Sequence, residues 1–126
     1  EVNSDVVTLA EKRAAKYGGK LTISTDINAA NGAQILYTDT WLSMGDDTPL
    51  SEIKQTFAGF EITPALMKKT GADYVMHCQP AHRDLEISGS VIDGEKSLLM
   101  QQAENRMHGQ NALLVSLLAK DFEPRN

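Results

Sequence analysis

The sequence predicts an α/β protein: a three-layer sandwich with a mostly parallel sheet, folded as a single domain over residues 1–126. Short β-branched and aromatic runs alternate with segments whose apolar residues recur at helical spacing, and such alternation implies crossover connections and parallel strands. The length of 126 residues is that of one ordinary domain, large enough to bury a core without disulfide or metal staples.

Residues 4–17 carry Val6, Val7, Ala10, Ala14 and Ala15 at helical spacing, with Ser4 as the expected N-cap and Gly18-Gly19 as the stop. Leu21 and Ile23 alternate with Thr22 and Ser24 and predict a strand, after which Asp26 caps a short helical turn through Ala30. Gln34 to Thr38 predicts the next strand. Residues 39–49 show no sustained period, contain Gly45 and Pro49, and predict a long loop. Leu50, Ile53, Phe57 and Phe60 predict a helix, and Thr63-Pro64 restarts one with its cap and its favoured first residue. Gly71 ends that helix and Tyr74 to His77 is a strand. Ser97 to Met100 is expected to be another, after a turn-rich connection containing Gly89 and Gly94. Residues 102–119 predict a long helix with Ala103, Met107, Ala112, Leu113, Val115, Leu117 and Leu118 as its apolar surface, and the tail from Asp121 is polar. The order is Rossmann-like. Sheets of this kind place their sites at the carboxyl ends of strands, so residues 39–45 and 77–83 are expected to open on the same edge.

Composition removes several classes of function. With 41% apolar and 23% charged residues the chain reads as soluble and globular, and no window reaches the apolar length of a membrane span. A net charge of −5 with scattered basic residues disfavours nucleic acid and anionic lipid as partners. The single cysteine cannot build an intrachain disulfide framework, and nothing at the start reads as a cleavable signal, which favours a reducing compartment. The chain opens at Glu1 directly into a helical pattern, so part of a longer protein is expected.

Chemistry concentrates in the run Tyr74 to Arg83, where an apolar strand ends in His77 and Cys78 and is stopped by Pro80. No G-x-G-x-x-G, G-x-x-x-x-G-K-[ST], G-x-S-x-G or C-x-x-C pattern is present, so a nicotinamide-binding domain would have the fold class without its glycine fingerprint. Zinc ligation by His77, Cys78 and His82 is set aside. Adjacent residues at a strand end point to opposite faces, and closed sites draw on more ligands at recognisable spacings. Cys78 beside His77 admits a thiolate nucleophile, yet a lone cysteine is more often a small inert hydrophobe. Asp39, just after a strand, can hold a cationic group or simply cap its loop. Ser43-Met44-Gly45 can present backbone amide and hydroxyl groups to a ligand or form an ordinary turn. Arg106 sits near the start of the final helix, where helix-dipole stabilisation does not explain a cation; a solvated side chain or a pair with Glu104 is the plain alternative. His108 reads as a surface or packing residue.

Three separated motifs occur in order: Tyr37-Thr38-Asp39-Thr40-Trp41-Leu42-Ser43-Met44-Gly45, Met76-His77-Cys78-Gln79-Pro80-Ala81-His82-Arg83, and Gln102-Ala103-Glu104-Asn105-Arg106-Met107-His108. Together they closely resemble the ornithine carbamoyltransferases of the aspartate/ornithine carbamoyltransferase superfamily. The similarity continues through Val91-Ile92-Asp93-Gly94 and the final helix, and covers essentially the whole chain as most of the family's carboxy-terminal, ornithine-binding domain. The family's amino-terminal domain, with its Ser-x-Arg-Thr-Arg phosphate motif, and the first strand of its second domain have no counterpart, so the resemblance implies a fragment.

The resemblance implies transfer of a carbamoyl group from carbamoyl phosphate to the side-chain amine of ornithine, giving citrulline and phosphate, with no metal or organic cofactor. It implies Asp39, Cys78 and Arg106 as catalytic residues, with Asp39 and Cys78 facing the amine. Ser43 and Met44 would contact the amino-acid end of ornithine. Cys78, the backbone carbonyl of Gln79 and the side chain of Arg106 would meet carbamoyl phosphate, with His77 and Pro80 in support. It further implies a homotrimer whose sites are completed by a neighbour's amino-terminal domain, located in the cytoplasm or in an organelle matrix in a eukaryote. Gln79 replaces the family's usual leucine, and its polar side chain alters the pocket wall. That keeps putrescine or a modified ornithine open as acceptor, although the Ser-Met-Gly loop favours ornithine. The reading from another class is a non-catalytic amino-acid-binding module.

Overall fold

The computed structural model describes residues 2–42, 45 and 47–119. Helix α1, Ser4–Tyr17, is capped one residue earlier than expected: Asn3 Oδ1 accepts from the backbone N–H groups of Asp5 and Val6 at 2.9 and 3.2 Å, so Ser4 is the first helical residue. Asn3 serves because its carboxamide reaches two of the four N–H groups that a helix start leaves without partners. Gly18 closes the helix in the left-handed conformation, φ 73°. Asp26 caps a 3-10 turn, Ile27–Ala30, through a 2.9 Å bond from the backbone N–H of Asn28.

Strands β1, Ile35–Thr38, and β2, Tyr74–His77, pair in parallel with Ile35 opposite Tyr74 and Thr38 opposite His77. Between them lie α2, Leu50–Thr56, and α3, Pro64–Thr70. Helix α2 stops short of the expected Phe60. Gly59 at φ 87° turns the chain, and Phe57 leaves the helix to stack on Trp41 with ring centroids 4.9 Å apart. Helix α3 has the expected signals at both ends, Thr63 Oγ1 accepting from Leu66 N–H at 3.1 Å and Gly71 at φ 79°. After β2 come the short α4, Gly89–Ile92, and the long α5, Leu99–Leu118.

Two expected strands do not form. Residues 21–24 are irregular and exposed, because a β-branched run becomes a strand only where a neighbouring ladder receives it, and none of the described residues pairs with this one. Ser97 makes a single parallel bridge to Val75, and Leu99 already opens α5, burying its side chain in the core. Among the described residues, the backbone there meets the far edge of β2 through Val75 N–H to Lys96 O and Leu98 N–H to Val75 O, both 2.9 Å. Among the described residues the sheet thus has two strands. The larger parallel sheet between two helical layers that the sequence predicts is not contained in it.

The core joins both strands to α3, α4 and α5 through Leu36, Leu66, Met67, Val75, Val91 and Leu99, with Ile62 and Ile87 between them. Each fully buried side chain of this size contributes roughly 1.5–3 kcal/mol by leaving water. Among the described residues no helix is long and apolar enough to cross a membrane.

Candidate functional site

Because β1 and β2 run parallel and in register, the residues that follow them emerge side by side. Asp39 succeeds Thr38 and Cys78 succeeds His77, and the Cys78 thiol donates to Asp39 Oδ1 at 2.7 Å. The same carboxylate oxygen accepts from Thr40 N–H at 2.7 Å, so Asp39 both caps its loop and holds the thiol. These two donors, the thiol first, keep the Asp39 carboxyl below its ordinary range. Partial burial, followed by the hydrogen bond to Asp39 and its charge, pushes the Cys78 thiol up.

His77 does not act on that thiol. Its Nδ1 accepts from the backbone N–H of Gln79 at 2.8 Å and lies 3.9 Å from Cys78 Sγ, so the ring proton belongs on Nε2. Nε2 donates to Glu86 Oε1 at 3.1 Å, and both side chains are fully buried. A cysteine whose proton faces a carboxylate, beside an imidazole already occupied, is not arranged as a Cys–His nucleophile. Glu86 Oε1 also accepts from His82 N–H at 2.6 Å, while Oε2 has no partner among the described residues. His82 reaches across to Thr40 Oγ1 at 3.1 Å, tying the loop after β1 to the loop after β2. Gln79 is held at φ 59°, a left-handed conformation unusual for a side-chain-bearing residue, and is followed by Pro80 across a cis peptide bond. Arg83, though in the same motif, is occupied by Asp93 through bonds of 2.6 and 2.8 Å, which hold its guanidinium charged and the Asp93 carboxyl low.

Beside the Asp39–Cys78 pair lies a cavity of about 410 Å³ walled by His77, Cys78 and Gln79 on one side and by Gln102, Asn105 and Arg106 of α5 on the other. Arg106 has no ion-pair partner among the described residues; its alternative partner Glu104 is taken by His108 at 3.3 Å. The structure thus brings Asp39, His77, Cys78, Gln79 and Arg106 to one place. Ser43 and Met44 lie outside the described residues. Among those described, no group of three or more His, Cys, Asp or Glu is set to hold a metal ion.

The sequence alone assigns no role to Tyr37, Gln102 or Glu86. Gln102 Nε2 donates to Tyr37 Oη at 2.8 Å and its Oε1 accepts from His77 N–H at 3.1 Å. The available signal was spacing, since Gln102 precedes Arg106 by four residues and so shares its helix face. Glu86 gave no signal; only the fold brings it under His77.

A family model described as the aspartate/ornithine carbamoyltransferase Asp/Orn binding domain matches residues 1–117. The chain is 54% identical over 114 residues to an ornithine carbamoyltransferase of Shewanella oneidensis, covering 90% of this chain and 38% of that protein. It superposes on the solved ornithine carbamoyltransferase of Pyrococcus furiosus with a TM-score of 0.84 at 37% identity, covering 98% of this chain and 40% of that one. A solved N-acetyl-L-ornithine transcarbamylase gives a TM-score of 0.77 at 26% identity, with 94% of this chain and 37% of that one covered. The chain spans well under half the length of each of these relatives. With the family match running from residue 1 to residue 117, the chain belongs to the aspartate/ornithine carbamoyltransferase family, to its Asp/Orn-binding domain.

Proposed function

We propose that residues 1–126 form the ornithine-binding domain of an ornithine carbamoyltransferase, which carries a carbamoyl group from carbamoyl phosphate to the side-chain amine of ornithine. The observation that carries this reading is the 2.7 Å contact between Cys78 and Asp39 on the rim of a cavity whose opposite wall holds Arg106. A carboxylate with a thiol beside it suits an amine: Asp39 orients the ammonium by its charge and, as general base, accepts the proton it gives up, which leaves a lone pair for attack. The amine nitrogen then bonds to the carbamoyl carbon as the carbon–oxygen bond to phosphate breaks, and the second amine proton leaves with the phosphate. Arg106 places a positive charge where the departing phosphate gathers negative charge, and the carbonyl of Gln79 accepts from the carbamoyl amide. Ser43 and Met44 receive the amino-acid end of ornithine, and His77 and Pro80 support the turn. No metal or organic cofactor enters this scheme.

In the complete protein the β1–β2 pair is one part of a wider, mostly parallel, Rossmann-like sheet between helical layers, and the remaining phosphate donors come from the length of the relatives that this chain does not span. We place that protein in the cytoplasm, or an organelle matrix in a eukaryote, as a homotrimer. The test is citrulline formation by the complete protein from ornithine and carbamoyl phosphate; a complete protein that binds both and forms none is a binding module instead. A second reading, a modified ornithine or putrescine as acceptor, is favoured by Gln79, a polar residue that lines the cavity. Comparing turnover of ornithine, N-acetylornithine and putrescine decides between them.

A further inference from the structure

We propose that Gln102 is a positioning residue that fixes the two walls of this site relative to each other. Successive N–H groups of a strand point to alternate edges, so Val75 and His77 donate towards the same side of β2. Val75 N–H is met there by Lys96 O at 2.9 Å. Two residues further on, the neighbouring chain has already turned into α5 and offers no carbonyl to His77. Gln102 supplies the missing acceptor through Oε1 at 3.1 Å, so a side chain takes the place of a strand. Its other end donates to Tyr37 Oη at 2.8 Å, and Tyr37 belongs to β1. One carboxamide therefore ties α5 to both strands at the level where Asp39 and Cys78 emerge.

Arg106 lies one turn further along α5 on the same face, lining the cavity with Gln102. Rotation or sliding of α5 would move the guanidinium relative to the thiol–carboxylate pair, and the two bonds of Gln102 oppose that motion. The inference rests on the carbamoyltransferase reading for its kinetic consequence. Its structural content does not depend on it.

The test uses the complete protein carrying Gln102→Met, which keeps the length and apolar stem of the side chain and deletes both bonds. Amide hydrogen exchange is expected to accelerate over the peptide containing His77. Freed of its tether, the strand end loosens the Asp39–Cys78 contact, and the pH profile of Cys78 alkylation by iodoacetamide moves to lower pH. In turnover, measured well below the melting temperature, kcat falls by about 10- to 100-fold and KM for carbamoyl phosphate rises more than KM for ornithine. Tyr37→Phe, at an exposed position that tolerates the loss of a hydroxyl, gives the same changes in smaller measure, so the inference stays testable if the Met variant does not fold. Wild-type His77 exchange and a wild-type alkylation profile in the variants overturn the clamp, whatever the protein catalyses. Altered exchange and alkylation with unchanged kinetics in an active enzyme reduce Gln102 to a purely structural tie and overturn its positioning role. Absence of citrulline from the unmutated protein overturns the functional reading alone.

Discussion

At the scale of single residues, the site turns on where one proton sits. The Cys78 thiol donates to Asp39, and the imidazole beside it is committed to Gln79 and Glu86, so the thiol is held protonated rather than activated. Asp39, with its carboxyl lowered by the thiol and by Thr40 N–H, contributes stability above the ordinary carboxylate range that is lost as pH falls. Cys78, with its thiol raised by burial and by Asp39, contributes stability below the ordinary thiol range that is lost as pH rises through the raised value. The contact is therefore firmest between these limits. Asp39→Asn is expected to shift iodoacetamide alkylation of Cys78 to lower pH, because the acceptor charge that opposes the thiolate is gone; an unmoved profile would show that the contact does not persist in solution. In turnover, Cys78→Ser is expected to lower kcat and to raise KM for ornithine more than KM for carbamoyl phosphate, whereas Arg106→Ala chiefly damages carbamoyl phosphate use. Steady-state kinetics with each substrate varied in turn separates the two. The reverse pattern would exchange their assignments.

At the scale of elements, local signals succeeded where the physics is local. Gly18, Asp26, Thr63 and Gly71 all stand at element ends, as capping chemistry requires, and β2 runs from Tyr74 to His77 as its apolar pattern predicts. Leu21 to Ser24 and Ser97 to Met100 misled because a strand is a relation between two chains, and β propensity says nothing about whether a partner arrives. The meeting of Asp39 and Cys78 was legible as two loops following parallel strands. The seats of Glu86 under His77 and of Gln102 against Tyr37 were not, since no spacing rule connects residues brought together by the fold. The caps themselves are testable. Gly71 adopts φ 79° with open space around its missing Cβ, so Gly71→Ala is expected to cost about 1–2 kcal/mol through backbone strain alone. Thr63→Ala removes the 3.1 Å cap at the other end of α3 and is expected to cost about 0.5–2 kcal/mol. Urea denaturation of each variant checks both values, and equal stability to the parent would mean that α3 frays at its ends in solution.

At the scale of the whole molecule, the described surface carries apolar faces with nothing set against them. Helix α1 buries none of its residues, and on α5 only Leu99 is buried, while Met107, Leu113, Leu114, Leu117 and Leu118 remain exposed. Ile35 and Tyr37 are likewise exposed on β1, whose outer edge pairs with no strand among the described residues. An amphipathic helix of 20 residues with so little buried, beside an open parallel edge, is the pattern of elements that pack against further polypeptide. The relatives are longer than this chain, which is consistent with that need. Residues 1–126 produced alone are therefore expected to self-associate, since open edges and contiguous apolar surface are the features that drive association. Light scattering across a concentration series reads this directly. Co-expression with the portion of the Shewanella relative that this chain does not span is expected to suppress the association and, under the proposed function, to yield citrulline from ornithine and carbamoyl phosphate. A chain that stays monomeric at every concentration, and gains neither solubility nor activity from that partner, would mean that the exposed faces of α1 and α5 serve no packing role.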